Sequence, residues 1–259
     1  MESGKLLIGN LNFPFSIFRF PLLFMNTRTK KRGKTHFVVA VLSSLITALL
    51  FFSLPTIYLL ISSDSSHADD VIFRLSLSLG YTALLLLLFT LLISVWNLWK
   101  NRKLLPIQYD VRRDVGIWAG IVGILHSVVG LFVHFRDKPN SFLYYFIFPP
   151  ETSSSFPLRY DLFGLANYTG LFGFLLVALL LAISNDFSLK KLGNKRWKNL
   201  QRLNYLFFGF VFIHSVIYAL IEKRPLPLFA LALLLFGLAI SLQIFGFSKY
   251  RSSRDKKIA

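Results

Sequence analysis

Six long runs of apolar residues, separated by short polar and basic stretches, dominate the pattern of the chain. They lie at residues 36–62, 75–98, 115–135, 162–184, 203–221 and 226–247. Each is close to or above the roughly 20 residues that a helix needs to cross the hydrocarbon core of a bilayer. Because backbone groups in lipid must find their partners within the segment, the pattern predicts about six transmembrane helices.

The predicted fold is therefore an all-α, polytopic membrane helical bundle over residues 36–247. Most of the 29 Lys and Arg residues fall in four blocks, at residues 1–35, 99–113, 185–202 and 248–259. Loops rich in Lys and Arg stay on the cytoplasmic side of a membrane. The blocks thus predict that both termini are cytoplasmic, as a basic N-terminal segment (1–35) and a basic tail (248–259).

The composition narrows the class of partner. Hydrophobic residues make up 54% of the chain and charged residues only 16%, with a formal net charge of +17. Since the basic residues lie in blocks between apolar runs, they favour contact with a lipid bilayer and its anionic head groups over nucleic acid. A bacterial plasma (inner) membrane is the default location, and a thylakoid membrane would give the same pattern. The chain has no Cys, which excludes disulfides, iron–sulfur clusters and a catalytic thiol.

Two of the five histidines are candidate metal ligands. His126 follows the basic border at Arg113 by 13 residues, and His214 follows Arg202 by 12 residues. At the helical rise per residue, both lie about 18–20 Å from the cytoplasmic border, on helices that run in the same direction. Two imidazoles at one depth can clamp an iron porphyrin from both sides. Two unrelated histidines, each hydrogen-bonded within the bundle, are the alternative.

The other three histidines are expected to have ordinary roles. His36 lies at the cytoplasmic start of the first apolar run, and His67 lies in an acidic external loop. His134 is eight residues beyond His126, about 12 Å along a helix, and is expected near the outer border. The long external loop at residues 136–161 carries aromatic residues that either lie in the membrane interface or cover the bundle.

Four sequence motifs resemble the ferric reductase-like transmembrane domain family. They are RRDVGIW (112–118) followed by Leu125-His126, then LAIS (181–184), LGNKRWKNL (192–200), and the stretch from Asn204-Tyr205-Leu206 to Ile213-His214. The resemblance covers about residues 75–245. Within the family it is greatest to the MsrQ/YedZ branch of haem-binding membrane subunits, which serve a periplasmic methionine-sulfoxide reductase.

The resemblance implies that haem b binds between the third and fifth predicted transmembrane helices, with His126 and His214 as ligands. At a position where the family often has a second histidine in the fifth helix, this chain has Gln201. A single haem is therefore expected, nearer the outer face and about 20 Å from the cytoplasmic surface. Arg74 and Arg136 are candidate partners for its propionates on the outer side.

The resemblance further implies an electron-transfer subunit that acts as an oxidoreductase component. The sequence has no Gly-x-Gly-x-x-Gly unit and no soluble segment long enough to fold a dinucleotide-binding domain. Electrons would come from a redox partner protein, such as a flavin reductase with FMN, or from quinol, and would pass to an outer acceptor. The alternative is a structural or assembly subunit of a larger membrane complex, with a structural haem or none. A small transporter is less favoured, because the sequence shows no convincing internal repeat.

Overall fold

Seven α-helices form the part of the protein that the computed structural model describes, which is residues 29–61, 70–100, 106–135, 141–148 and 157–258. The helices are α1 (Thr29–Ile61), α2 (Val71–Trp99), α3 (Pro106–Gly130), α4 (Leu162–Ile183), α5 (Asp186–Gln201), α6 (Leu203–Ile221) and α7 (Leu226–Ile258). Within these ranges the remaining regular structure is a 3₁₀ turn at Ser141–Tyr145 and one isolated β-bridge between Ile147 and Leu158. The predicted all-helical fold is confirmed.

Five of the helices are long and apolar enough to cross a membrane. The apolar spans are Gly33–Tyr58, Val71–Ile93, Leu162–Ile183, Asn199–Ile221 and Leu226–Lys249. They belong to α1, α2, α4, α6 and α7, and they make the chain a multi-pass integral membrane protein. The sixth predicted span lies in α3, which is less apolar than these five spans. Its first half carries Arg112, Arg113 and Asp114, and the helix ends at Gly130.

Helix α5 lies in the basic stretch at residues 185–202, where the sequence pattern predicts a loop. Asn185 caps its first turn, since the side-chain oxygen accepts a hydrogen bond from the Ser188 backbone N–H at 2.7 Å. Gly193 interrupts it with a φ of 72°, a left-handed conformation that glycine adopts without steric cost. At the other end of the chain α7 continues into the predicted tail as far as Ile258.

The bundle is built from two closely packed helix pairs, α2 with α3 and α4 with α6. Contacts between α3 and α4 join the pairs, and α1 and α7 pack against α2. The largest buried apolar cluster lies between α1, α2 and α7 around Leu54, Tyr81 and Phe236. Many large apolar side chains on the outside are exposed, among them Leu49 and Phe52 of α1, which suits contact with lipid acyl chains.

The loop between α3 and α4 covers the end of the bundle through Tyr145, which is 1% exposed. Its hydroxyl accepts a hydrogen bond from the His134 backbone N–H at 2.8 Å and donates to the Gly130 carbonyl at 3.0 Å. These two groups lie at the C-terminal end of α3, where helix carbonyls lack intrahelical partners. Of the two alternatives for this loop, a position in the membrane interface or a cover over the bundle, the contacts of Tyr145 therefore support the second. Residues 136–140 and 149–156 of the loop lie outside the described residues.

Tyr145→Phe is expected to lower the free energy of unfolding by about 1–3 kcal/mol. The change removes only the hydroxyl, so the part-buried His134 N–H loses this acceptor and the Gly130 carbonyl keeps only the Val133 N–H, at 3.2 Å. Thermal unfolding of the detergent-purified protein measures the effect. Tyr160→Phe is the matched control, because Tyr160 is 78% exposed. Equal stability of the two variants would show that the Tyr145 hydroxyl does not hold the end of α3.

Candidate functional site

A cavity of about 850 Å³ runs through the interior of the bundle. One end is lined by Arg113, Trp197 and Gln201, and the other by Tyr145 and Glu222. We call these the Arg113 end and the Glu222 end. The volume lies within the roughly 300–1,000 Å³ that is typical of ligand and cofactor sites. Residues from α2, α3, α4 and α6 face it, so both helix pairs contribute to one site.

The helices α3 and α6 run in the same direction along this cavity. At the Arg113 end, Arg113 of α3 donates to the Ser184 carbonyl at 2.9 Å. Gln201, the last residue of α5 and two residues before α6 begins, donates to the Ser184 hydroxyl at 3.3 Å. At the other end, the His134 ring beyond α3 lies 3.6 Å from the Glu222 carboxylate beyond α6. The starts and the ends of the two helices therefore lie together. The predicted matching depth of His126 and His214 depends on this arrangement.

The His126 side chain extends from α3 and packs against α2 at Gly80. Its Nδ1 lies 2.8 Å from the Ser76 backbone carbonyl, and the ring packs where Gly80 has no side chain. A Cβ atom at Gly80 would lie 3.2 Å from the imidazole Cε1. Because a carbonyl can only accept a hydrogen bond, Nδ1 carries the proton in this contact. The Nε2 atom then keeps a free lone pair, which is the form that binds metals.

The His214 side chain makes the same contact between α6 and α4. Its Nδ1 lies 2.9 Å from the Ala166 carbonyl, and a Cβ atom at Gly170 would lie 2.8 Å from the same nitrogen. Here too the carbonyl requires the proton on Nδ1 and leaves Nε2 as an acceptor. In its neutral form, each imidazole therefore carries its proton on Nδ1 and has Nε2 available.

The two imidazole rings lie beside each other, and both line the cavity. Their centroids are 6.2 Å apart and their planes are inclined at 82°. An imidazole nitrogen binds a transition metal at about 2.0 Å, and the ring centroid lies about 1.1 Å behind that nitrogen, so two ligands on opposite sides of one ion have centroids roughly 6 Å apart. The separation fits two axial ligands of a single metal ion.

The donor set suits a metal that brings its own equatorial ligands. Among the described residues there is no group of three or more His, Cys, Asp or Glu that could hold a metal ion. Two neutral imidazoles in an apolar cavity match iron porphyrin, which needs the protein only for axial ligation and space. The residues present therefore fit haem, and His126 and His214 would hold it.

The structure places one other predicted site residue, Arg74, apart from this pair. The Arg74 guanidinium lies over the Phe51 ring, 4.6 Å from its centroid, and Arg74 is not among the residues that line the cavity. Arg136 and His67 lie outside the described residues. Gln201 does line the cavity, at its Arg113 end.

The charged residues of the RRDVGIW motif bind neighbouring helices. Arg113 donates to the Asp186 carboxylate at 2.7 Å, which ties α3 to the start of α5. Asp114 is 1% exposed and accepts a hydrogen bond from the Thr35 hydroxyl of α1 at 2.7 Å. The His36 ring of α1 lies 3.6 Å from the same carboxylate. These contacts give the motif an architectural role at the Arg113 end.

The structure shows a buried ion pair at the Glu222 end of the cavity that the sequence pattern does not predict. The Arg224 guanidinium lies 2.8 Å from the Glu222 carboxylate, and the two side chains are 15% and 6% exposed. Burial alone would raise the pKa of Glu222, but Arg224 and the nearby His134 ring hold that pKa below its ordinary value. Both residues line the cavity. The only signal in the sequence is a pair of opposite charges directly after an apolar run, a pattern that usually indicates a solvated loop.

Compared with models of known protein families and with curated proteins, the chain matches none. The resemblance to ferric reductase-like domains therefore depends on the four sequence motifs alone.

Proposed function

We propose that the protein is a haem b-binding membrane subunit that carries electrons across the bilayer to an acceptor on the outer side. The observation that carries the proposal is the pair of His126 and His214. Each presents Nε2 because its Nδ1 is bound to a helix carbonyl, and the ring separation of 6.2 Å suits a shared metal ion. Bound haem would supply one-electron oxidation and reduction inside an otherwise apolar bundle.

In this proposal α3 is a sixth crossing, and both termini are cytoplasmic. Helix α3 runs beside α6, which is one of the five apolar spans, and the two share their ends at Ser184 and Glu222. The basic helix α5 then lies on the cytoplasmic side with the Arg113 end of the cavity, as the distribution of Lys and Arg favours. The Glu222 end faces outward.

The protein side chains have three roles in this proposal. His126 and His214 bind the iron, and the Ser76 and Ala166 carbonyls hold their orientation. The Tyr145 side chain covers the outer end of the cavity and limits the access of water. Arg224, which lines the cavity, replaces Arg74 as the candidate partner for a haem carboxylate on the outer side.

Electrons would enter from a flavin reductase or from quinol, because the chain itself offers no dinucleotide-binding unit. The Gln201 amide is engaged with the Ser184 hydroxyl at 3.3 Å and is a poor iron ligand, so the proposal has one haem. Electrons therefore cross the Arg113 end of the cavity by way of a carrier, for which FMN and a quinone are the candidates. A bacterial plasma membrane is the proposed location.

An optical spectrum of the detergent-purified protein, oxidised and then reduced with dithionite, tests the proposal. The expected result is a reducible low-spin b-type spectrum with about one haem per chain, since the chain offers one pair of axial ligands. Protein that stays colourless after reconstitution with haem would overturn the proposal. A structural or assembly subunit would then be the better account.

A further inference from the structure

His126 and His214 pack in the same way against two different helices. In each of these imidazole sites the ring packs against a glycine, and Nδ1 contacts the backbone carbonyl four residues before that glycine. The pairs are Ser76 with Gly80 on α2, and Ala166 with Gly170 on α4. Residues four apart lie one above the other on a helix face, so each carbonyl and each glycine form a single surface.

Each imidazole site fixes the orientation of the ring in two ways. The absent Cβ lets the imidazole lie against the helix backbone, and the carbonyl selects the rotation that brings Nδ1 towards it. A side chain on the glycine would occupy the place of the ring itself. At Gly170 the new Cβ would lie 2.8 Å from Nδ1 and 3.0 Å from Cε1 of His214, so the ring would have to move and the bond to Ala166 would be lost.

We infer that Gly80 and Gly170 are positioning residues that set the orientation of His126 and His214 as metal ligands and hold their planes close to perpendicular. The inference rests on the proposed function, because it concerns the same pair of histidines. It goes further by assigning the ligand orientation to two glycines that do not touch the metal, and by relating the helix pairs α2–α3 and α4–α6 as two copies of one ligand-holding unit.

Three measured properties report the orientation of the rings. Crossed imidazole planes give low-spin ferric iron a more axial EPR spectrum than parallel planes do. The hydrogen bond from Nδ1 raises the basicity of the ligand, which favours ferric iron, so losing that bond raises the reduction potential. Loss of such an outer contact also weakens metal affinity by about 10–100-fold.

The closing experiment compares alanine substitutions at three glycines and one leucine in the full-length, haem-loaded protein. Gly170→Ala is expected to lower haem affinity by about 10-fold or more, raise the reduction potential and change the EPR anisotropy. Gly80→Ala is expected to act in the same direction but less strongly, since its Cβ would lie 3.2 Å from His126. Gly246→Ala is a mild control, since its nearest neighbour would be Val95 at 3.6 Å and Gly246 is not among the residues that line the cavity.

Leu54→Ala is the control for lost stability, because Leu54 is 2% exposed in the cluster between α1, α2 and α7 and is not among the residues that line the cavity. It is expected to lower thermal stability while keeping the wild-type EPR spectrum and potential. If Gly170→Ala and Gly80→Ala keep these two properties as Leu54→Ala does, the inference is overturned although the proposed function stands. If Gly170→Ala does not fold, the EPR spectrum of Gly80→Ala decides. A wild-type protein without haem would overturn the proposed function itself.

Discussion

Replacing either His126 or His214 by Ala is expected to abolish the reducible low-spin b-type spectrum of the purified protein. Each substitution removes one of the two proposed iron ligands, and the other histidine that lines the cavity, His134, lies at the Glu222 end with its ring 3.6 Å from the Glu222 carboxylate. A six-coordinate low-spin iron needs both ligands, so either single change is expected to give the full spectral effect. The measurement is the dithionite-reduced minus oxidised spectrum, with haem content determined on the same samples.

Two controls separate ligation from damage to the fold. His36→Ala removes a histidine whose side chain is 42% exposed and which lies beside Asp114, so it is expected to keep the spectrum. Free imidazole added to His214→Ala is expected to restore low-spin absorption, because it fits the space that the side chain leaves in the cavity. A normal spectrum in both ligand variants would contradict the assigned ligands, and equal loss in His36→Ala would indicate that the bundle has collapsed.

The apolar pattern predicted the helical class well but set the boundaries of the bundle less well. Five of the six apolar runs lie in the membrane-length helices α1, α2, α4, α6 and α7. An apolar stretch of this length in lipid forms a helix because the helix satisfies all of its backbone hydrogen bonds. Helix α3 was harder, since its start carries Arg113 and Asp114, whose partners lie on α5 and α1. The helix α5 was missed, because its residues are mainly basic and polar and show no apolar run.

The depth of the two histidines could be predicted because it needs only the helical rise and the direction of each helix. The contacts that orient the rings could not be predicted in the same way. The carbonyl partner of His126 lies 50 residues away in the sequence, and that of His214 lies 48 residues away. Such contacts depend on the rotation of each helix about its axis, which local patterns do not determine.

The glycines show the same limit at single positions. Glycine-rich stretches such as those of α3 and α4 are typical of close helix packing, and Gly120 does pack against Leu181. Gly170, in the same kind of pattern, packs instead against the ring of His214. Only the facing side chain separates a packing glycine from one that holds a ligand, and that side chain belongs to another helix.

Glu222→Gln is expected to lower the free energy of unfolding by about 3–5 kcal/mol at neutral pH. The substitution leaves the Arg224 guanidinium, which is 15% exposed, without its carboxylate. Removing one partner of a buried ion pair is costly because the other charge stays buried and unpaired. Thermal or denaturant unfolding of the detergent-purified, haem-free protein is the measurement, since a haem carboxylate could otherwise pair with Arg224. The double variant Glu222→Gln with Arg224→Met is expected to recover part of the loss, since it removes the unpaired charge.

Asp186→Asn is the matched control for this prediction. The Arg113–Asp186 pair is equally close, at 2.7 Å, but the Asp186 side chain is 43% exposed. Water screens such a pair, so its loss is expected to cost about 0–1 kcal/mol. A cost for Glu222→Gln no greater than that for Asp186→Asn would contradict the view that Glu222 and Arg224 form a buried ion pair in the connection between α6 and α7.

The dependence on pH gives a second, independent check of the same pair. The pKa of Glu222 in the folded protein lies below its ordinary value, because Arg224 and His134 outweigh the effect of burial. A carboxyl with a lowered pKa stabilises the fold above its unfolded pKa of about 4.3, and that stability is lost as the pH falls through the folded value. The stability difference between wild type and Glu222→Gln is therefore expected to be constant near neutral pH and to shrink below about pH 4. A difference that grows on acidification would contradict the lowered pKa and the ion pair that causes it.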